Sequence, residues 1–480
     1  MQEFNTVIIG GGIVGSGIFR DLSLHNISTL IIDKNDFAAR TSQSSSKMLH
    51  GGIRYLENLD FQLVFEALHE KNLWLKIAPH LCFEEKFYLP VFDDSKRPLW
   101  MIKCGLFLYD LLSGLKNSPH ELKNTVEVIS ELKIINSHDL SGAGVYCDAI
   151  VDDSRMNLEL IYDGLINPKC HAKNYHKLIS DIVSGKFHIL TIEDQITKKT
   201  YQVKTHNVVY ACGPFTDNLL TELTKTERQF SWKNFLKPSK GSHLWFSKKD
   251  LPLKHPVVMT PKDDIEDRVI FVIPQRDLVL VGTTEIKSDE NFDHVKISDL
   301  ETEYLLKNLN HYFPTLKLNK NNIIGRFSGI RPLVSDGDSD NLGKTSREHR
   351  IVQPLHNQFV IAGGKYTTFR VMGQEITRNI VNRTNQSYNR DLSKMPLRKI
   401  STINTFDFKI PNDHELIMIL EHELPKSFED LVCRRLGILT KAIWKIKANC
   451  DFDQYFNEKI DLLNKYFPIT IDQIKYYPEN

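Results

Sequence analysis

The chain predicts a mixed α/β protein in three parts, and three observations carry the prediction. A β-branched run near the N-terminus meets closely spaced glycines and then a helical pattern. Two later apolar strands also end in small residues. Beyond about residue 390 a polar linker gives way to helical patterns. The expected architecture is a Rossmann-like nucleotide-binding domain interleaved with an antiparallel-sheet domain, followed by a C-terminal helical domain. The expected boundaries are 1–80, 145–220 and 325–388 for the first, 81–144 and 221–324 for the second, and 389–480 for the third.

The first element reads NTVIIGGGIVGSGIFRDLSLHNISTLIIDK. This is strand, turn, helix, strand. Gly10 permits the tight turn, Gly12 lets a pyrophosphate approach the backbone, and Gly15 lets the helix pack on the strand. The phosphates then meet the positive end of the helix dipole, and Asp33 stands where it can accept hydrogen bonds from a ribose diol. Further along, HNVVYACGP (206–214) and FVIAGGKYTTFRVMGQEITRNIV (359–381) are strands ending in Ala211–Gly213 and Ala362–Gly364. A nicotinamide enzyme needs only its first turn, whereas an elongated FAD lying across a sheet needs several close backbone approaches, so the pattern favours FAD. Thr367 and Thr368 are placed to cap the following helix, whose N-terminus would favour negative charge on a reduced flavin. RVIFVIP and LVLVGTTE (268–274 and 278–285) read as antiparallel strands around a short turn.

Composition narrows the class. The 480 residues are 41% hydrophobic and 25% charged, with 61 Lys+Arg against 60 Asp+Glu. Such a balance leaves no global field for nucleic acid, so any anion site must be local. Seven cysteines without metal-ligand spacing fit a reducing compartment and exclude a zinc or Fe–S site. No leader or 18-residue apolar run is visible, which predicts a soluble or peripheral protein. RPLWMIKCGLFLYDLLSGLK (97–116), interrupted by Lys103 and Asp110, reads as a buried helix. RRLGILTKAIWKIK (434–447) reads as a basic amphipathic helix. It would carry Arg434, Lys441 and Lys445 opposite Leu436, Leu439, Ile443 and Ile446, and could lie on an anionic membrane surface or pack in a helical bundle.

IIGGGIVGSGI, TSQSSSKMLHGGIRYLE, APHL, RPLWMIKCGLFLYD, VDDSRM, KGSH, RVIFVIP, GTTE, SGIRPL and GGKYTTFR follow in one order over residues 4–385, with a weaker echo in EDLVCRRLGI (429–438). In this the chain resembles the FAD-dependent glycerol-3-phosphate dehydrogenases. It departs at Tyr210, Cys212, Phe215 and Glu285, where Asn, Thr, Trp and Asp are common in the family.

The resemblance implies oxidation of sn-glycerol 3-phosphate to dihydroxyacetone phosphate, with electrons passed to a membrane quinone or, in the oxidase branch, to oxygen. It implies that Thr41, Ser42, Ser46, Lys47, Leu49 and His50 run along the FAD, with Gly51 and Gly52 close to the ring. Gly213, Gly364, Lys365, Thr367 and Thr368 complete the cofactor set. Arg54, Arg331 and Arg347 are the candidates for the phosphate clamp, since a guanidinium fork pairs with phosphate oxygens. Tyr55 stands on the substrate side, and Lys365 lies near the flavin or the substrate hydroxyls. The proton of the secondary alcohol needs an acceptor with a pKa near working pH, which favours His243 or His50; Arg331 can contact the same hydroxyl but is a poor base.

No relay cysteines or second dinucleotide loop are visible, so a diffusible acceptor is expected. The location implied is the cytoplasmic face of the inner membrane, or the cytoplasm, and a homodimer is one option. Three rivals predict different outcomes. A glycerol-3-phosphate oxidase releases hydrogen peroxide, an amine or amino-acid oxidase needs no phosphate clamp, and a non-catalytic dinucleotide-binding regulator shows no flavin reduction.

Overall fold

The computed structural model describes all residues except 58, 228–229, 262–267, 289–291 and 335–348. Strand β1 (Gln2–Ile9) runs into helix α1 (Ile13–Leu24) and β2 (Thr29–Ile32). β1 pairs in parallel with β2 on one side and with Thr200–Tyr210 on the other, and Thr200–Tyr210 pairs in parallel with Gln358–Gly363. All three glycine-bearing strand ends expected from the sequence therefore stop at the same edge of one sheet. Their residues are apolar on both faces (Val7, Ile8, Val208, Val209, Phe359 and Val360 are wholly buried), as a parallel sheet covered by helices requires.

A second, ten-stranded sheet stands beside it. It contains β3 (Met48–Leu49), β4 (Cys82–Phe92), β5 (Glu121–Lys123) and β6 (Leu140–Val151), with Leu236–Ser247, Ile270–Gln275, Leu278–Gly282 and Ile323–Val334. The expected hairpin forms, Phe271 opposite Gly282 through Gln275 opposite Leu278. The two sheets divide the chain differently from the expected boundaries: β3, β6 and Ile323–Val334 all belong to the antiparallel sheet. Helix α2 (Phe61–Ile77) and helix α3 (Leu99–Leu112) pack behind the segment that joins β3 to α2.

One helical expectation reverses, and the other resolves to its packing alternative. α3 is buried on one side only, through Leu106, Tyr109 and Asp110. Its other face carries Trp100 (67% exposed), Phe107 (61%) and Leu111 (53%), at positions that share a side of a helix with Cys104. The 434–447 stretch is not one amphipathic helix. A π-helical turn (Asp430–Arg435) ends at Gly437, whose φ of +68° lies in the left-handed region. A new helix, Lys441–Ala448, then begins with Thr440 accepting from the Ile443 amide. Arg434 is buried and donates to Asp36 at 2.5 Å, and Lys441 pairs with Asp453 at 2.8 Å. Charge at these positions is neutralised inside the fold rather than shown to a membrane. The C-terminal helices share one apolar cluster with the antiparallel sheet, Trp444, Phe452 and Phe456 being continuous with Trp245 and Ile273.

Candidate functional site

A cavity of about 690 Å³ runs from the ends of the parallel strands to the face of the antiparallel sheet. At its first end the glycines divide their tasks as the motif demands. A Cβ on Gly10 would stand 2.4 Å from the Ala211 carbonyl, and one on Gly15 would stand 1.9 Å from the Gly10 carbonyl. Both are packing contacts. A Cβ on Gly12 would meet only Ser42 Oγ, at 3.1 Å, so Gly12 faces the cavity. No side chain caps α1, although the Ile13 amide donates to Ser42 Oγ at 2.9 Å. The cavity therefore meets the positive end of a helix dipole through open glycine backbone, the arrangement that holds a pyrophosphate. Asp33 lines the same end. Its carboxylate accepts from the Gly11 amide at 2.7 Å and the Asn35 amide at 2.8 Å, while burial lifts its carboxyl to about 6 against those two bonds.

At the other end the structure brings together Ser46, His50, Arg54, Tyr55, His243, Arg331, Lys365 and Thr367, with Thr41, Ser42, Gly213 and Gly364 along the way. His243 sits on Leu236–Ser247, and its ring lies where a Cβ on Gly282 would clash at 2.2 Å. It stacks on Phe327 with ring centroids 4.8 Å apart, and its Nε2 is 2.9 Å from Ser46 Oγ. Its Nδ1 is buried with no hydrogen-bond partner among the described residues. Burial first, then Arg331 and Lys47, hold the imidazole well below its usual range, so it is neutral near pH 7. The Arg331 guanidinium occupies space that a side chain at Gly241 would fill, 2.3 Å from that position, and donates to Thr283 Oγ1 at 2.8 Å. Lys365 Nζ stands 3.8 Å over the Tyr55 ring.

Some expected residues stand elsewhere. Lys47 is turned away into an ion pair with Asp153 at 2.5 Å, and the Leu49 side chain is wholly buried in the core with Trp74. Thr368 occupies the N-cap position of Phe369–Val381 without capping it; its hydroxyl donates to the Lys365 carbonyl at 3.4 Å. Thr367 caps nothing either: its hydroxyl oxygen accepts from the His50 amide at 3.2 Å, tying the strand-end turn to the His50 segment. Arg347 lies outside the described residues. Arg268 was not anticipated, yet it lines the cavity and donates to the Glu285 carbonyl at 2.5 Å. Its only signal was a cation at the mouth of the RVIFVIP strand, and a lone Arg there is not distinguishable from a surface one.

An elongated cavity crossing three parallel strand ends, with helix-N-terminal glycines at one end and convergent cations at the other, defines a flavoprotein oxidoreductase. The comparisons agree: residues 5–378 match the model of the FAD dependent oxidoreductase family. The aerobic glycerol-3-phosphate dehydrogenase of Bacillus subtilis (strain 168) is 30% identical over 392 residues, 81% of this chain and 69% of the relative. The glycerol-3-phosphate dehydrogenase of Mycobacterium leprae is 33% identical over 383 residues, 78% of this chain and 62% of the relative. A solved glycerol-3-phosphate dehydrogenase from Bacillus halodurans, complexed with FAD, superposes with a TM-score of 0.75 at 20% identity, covering 99% of this chain and 93% of that one. An L-α-glycerophosphate oxidase from Mycoplasma pneumoniae with FAD bound gives 0.63 at 17%, covering 82% and 98%. The chain belongs to the FAD-dependent glycerol-3-phosphate dehydrogenase family.

FAD is its cofactor, and the cradle around Gly12 fits it. Gly12→Val is expected to give a folded but colourless protein, because the new side chain fills the pyrophosphate's place. Visible flavin absorbance per chain, measured after reconstitution with excess FAD, checks this; a yellow variant of wild-type stoichiometry would overturn it.

Proposed function

We propose that the protein oxidises sn-glycerol 3-phosphate to dihydroxyacetone phosphate and delivers the electrons to a membrane quinone. The observation that carries the reading is the convergence of Arg54, Arg331 and Lys365 with a neutral, buried His243 at one end of the cavity. FAD, held along the cavity by the open backbone at Gly12 and the Ser42 segment, would supply the hydride acceptor for C2 of the alcohol. The residues supply the rest. Arg331, its fork already held by Thr283, pairs with phosphate oxygens together with Arg54. Tyr55 and Lys365 flank the same end. His243 accepts the hydroxyl proton. Its neutral state leaves one ring nitrogen free to do so, and the arriving phosphate offsets the positive field of Arg331 that now lowers its basicity. His50, which lines the same cavity, is the second candidate base. Anaerobic bleaching of the flavin by a panel of polyols and their phosphates tests the substrate. Glycerol 3-phosphate should bleach it and glycerol should not; bleaching by an amino acid instead would sink the reading.

The quinone assignment is supported by the exposed apolar side of α3. Trp100, Phe107, Leu111 and Leu115 on that helix and its end, with Phe65 (49% exposed) on α2, form an apolar surface of a kind that soluble monomers rarely leave bare. Exposed Lys103 and Lys116 accompany it, and snorkelling lysines of this kind suit an anionic bilayer. Among the described residues no helix is long and apolar enough to cross a membrane, so contact would be peripheral. Trp100→Ser with Phe107→Ser should release the protein from anionic vesicles and slow quinone reduction, while dye-coupled oxidation persists. Undiminished vesicle binding would remove α3 from the contact. Peroxide release matching substrate consumption would favour oxygen as the acceptor.

A further inference from the structure

β3 and β6 pair antiparallel, Met48 opposite Ile150 and Leu49 opposite Ala149, so His50 leaves β3 alongside Asp148. Asp148 is 1% exposed yet forms part of the cavity wall. The Tyr109 hydroxyl, on the buried side of α3, stands 2.9 and 3.0 Å from the two carboxylate oxygens and donates to them. The same hydroxyl accepts from the Gly51 amide at 2.9 Å. Behind them Lys71 of α2 is wholly buried, its Nζ 3.7 Å from the carboxylate and donating to Asn117 Oδ1 at 2.9 Å.

This chain of groups ends on the segment that carries the substrate-side residues. Gly51 fits because a Cβ there would lie 2.6 Å from the Tyr109 oxygen. Gly52, at φ +77°, turns the backbone into the helical turn Ile53–Leu56, which presents Arg54 and Tyr55. A buried ion pair that served packing alone would have no reason to border the cavity or to terminate on a loop amide. We propose that Asp148, acting through the Tyr109 hydroxyl, is a positioning residue that holds the Gly51–Tyr55 segment and so sets the grip of Arg54 and Tyr55 on the anionic end of the substrate. The inference rests on the function proposed above.

The device is pH-sensitive. Burial lifts the Asp148 carboxyl to about 6, against the pull of Lys71 and of the Tyr109 and Gly51 hydrogen bonds. The groups facing it are Lys71 from α2, Tyr109 from α3, Glu85 opposite on β4, His50 alongside, and Tyr146 and Cys147 on β6 itself. Burial holds Tyr109, Tyr146 and Cys147 far above neutral, so those three do not titrate in the same window. Above about pH 6 the carboxylate polarises the Tyr109 hydroxyl through a charge-assisted bond; below it the bond becomes the weaker neutral kind.

Asp148→Asn and Tyr109→Phe, each loaded with FAD, test this. Amide hydrogen exchange across residues 50–56 should speed up about tenfold in both variants above neutral pH, the effect of one lost net hydrogen bond. The kcat/KM for glycerol 3-phosphate should fall chiefly through KM. The wild-type to Asp148→Asn ratio of kcat/KM should shrink toward one as pH drops through about 6, because the protonated carboxyl then resembles the amide; ionisation of the substrate phosphate is common to both and cancels. Unchanged exchange in Tyr109→Phe, or a ratio that stays flat across that range, would overturn the proposal. If exchange responds while glycerol 3-phosphate fails to bleach the wild-type flavin, the positioning role stands and the substrate reading falls.

Discussion

Arg331→Ala is expected to lower kcat/KM on glycerol 3-phosphate by roughly 10²-fold or more while FAD stays bound. The guanidinium lines the cavity, it is oriented by Thr283, and Gly241 clears the space it occupies. Removing one charge-assisted anchor from a desolvated phosphate site costs about 2–5 kcal/mol. Arg331→Lys keeps the charge but not the bidentate fork, so it should recover part of the loss and no more. Flavin absorbance separates this from cofactor loss, and steady-state kinetics read the effect. Wild-type kcat/KM in Arg331→Ala would remove the residue from the clamp. The same substitution should also release His243 from a neighbouring positive charge, moving its pKa up toward the ordinary range.

Asp36→Ala is expected to be among the most destabilising single changes in the chain, at about 3–5 kcal/mol. Asp36 is 1% exposed and joins the nucleotide-binding part to the C-terminal region. Arg434 donates to it at 2.5 Å, Arg435 at 3.1 Å, and Asn174 at 2.7 Å. Arg435 also donates to the Glu423 carbonyl at 2.7 Å, and Arg155 pairs with Glu423 at 2.6 Å. Truncating the shared carboxylate leaves the buried Arg435 guanidinium with backbone carbonyls alone and Arg434 with Asp430 and Glu429 as its remaining carboxylate partners. A surface control, Asp391→Ala, breaks only the exposed pair with Lys394 and should stay within about 0.5 kcal/mol. Denaturant midpoints of the two variants measure the contrast; equal midpoints would refute it.

The pH dependence has a definite sign. Burial opposes ionisation of Asp36, but Arg435 and Arg434 prevail and hold its carboxyl below the usual range. Its contribution to stability is therefore fully present above the unfolded value of about 4 and is lost as pH falls through the lowered folded value.

The sequence by itself determined the parts of this protein that depend on short-range chemistry. The turn at Gly10, Gly12 and Gly15 was legible because only glycine permits those backbone approaches, and the 1.9 Å that would separate a Gly15 Cβ from the Gly10 carbonyl shows why. The strand ends at 211–213 and 362–364 and the 270–282 hairpin were legible for the same reason, whereas Arg331 and His243, which line the cavity, were singled out through the family resemblance and, for His243, the need for a base, and not through local spacing.

Only the tertiary structure decided which apolar and charged faces are covered. α3 had the composition of a core helix, yet Trp100 and Phe107 are bare, because hydrophobicity says how much surface should be hidden and not whether a partner is present to hide it. Arg434 had the pattern of a solvated cation, yet it is buried on Asp36, nearly four hundred positions earlier in the chain. The same holds for Asp148, Tyr109 and Lys71. They lie on a strand and two helices with nothing in their local sequence to mark them, and they become one device only where the fold closes them around Gly51. Long-range charge pairing is invisible to local pattern because its partner is chosen by topology, and burial then turns an ordinary side chain into one whose removal is costly.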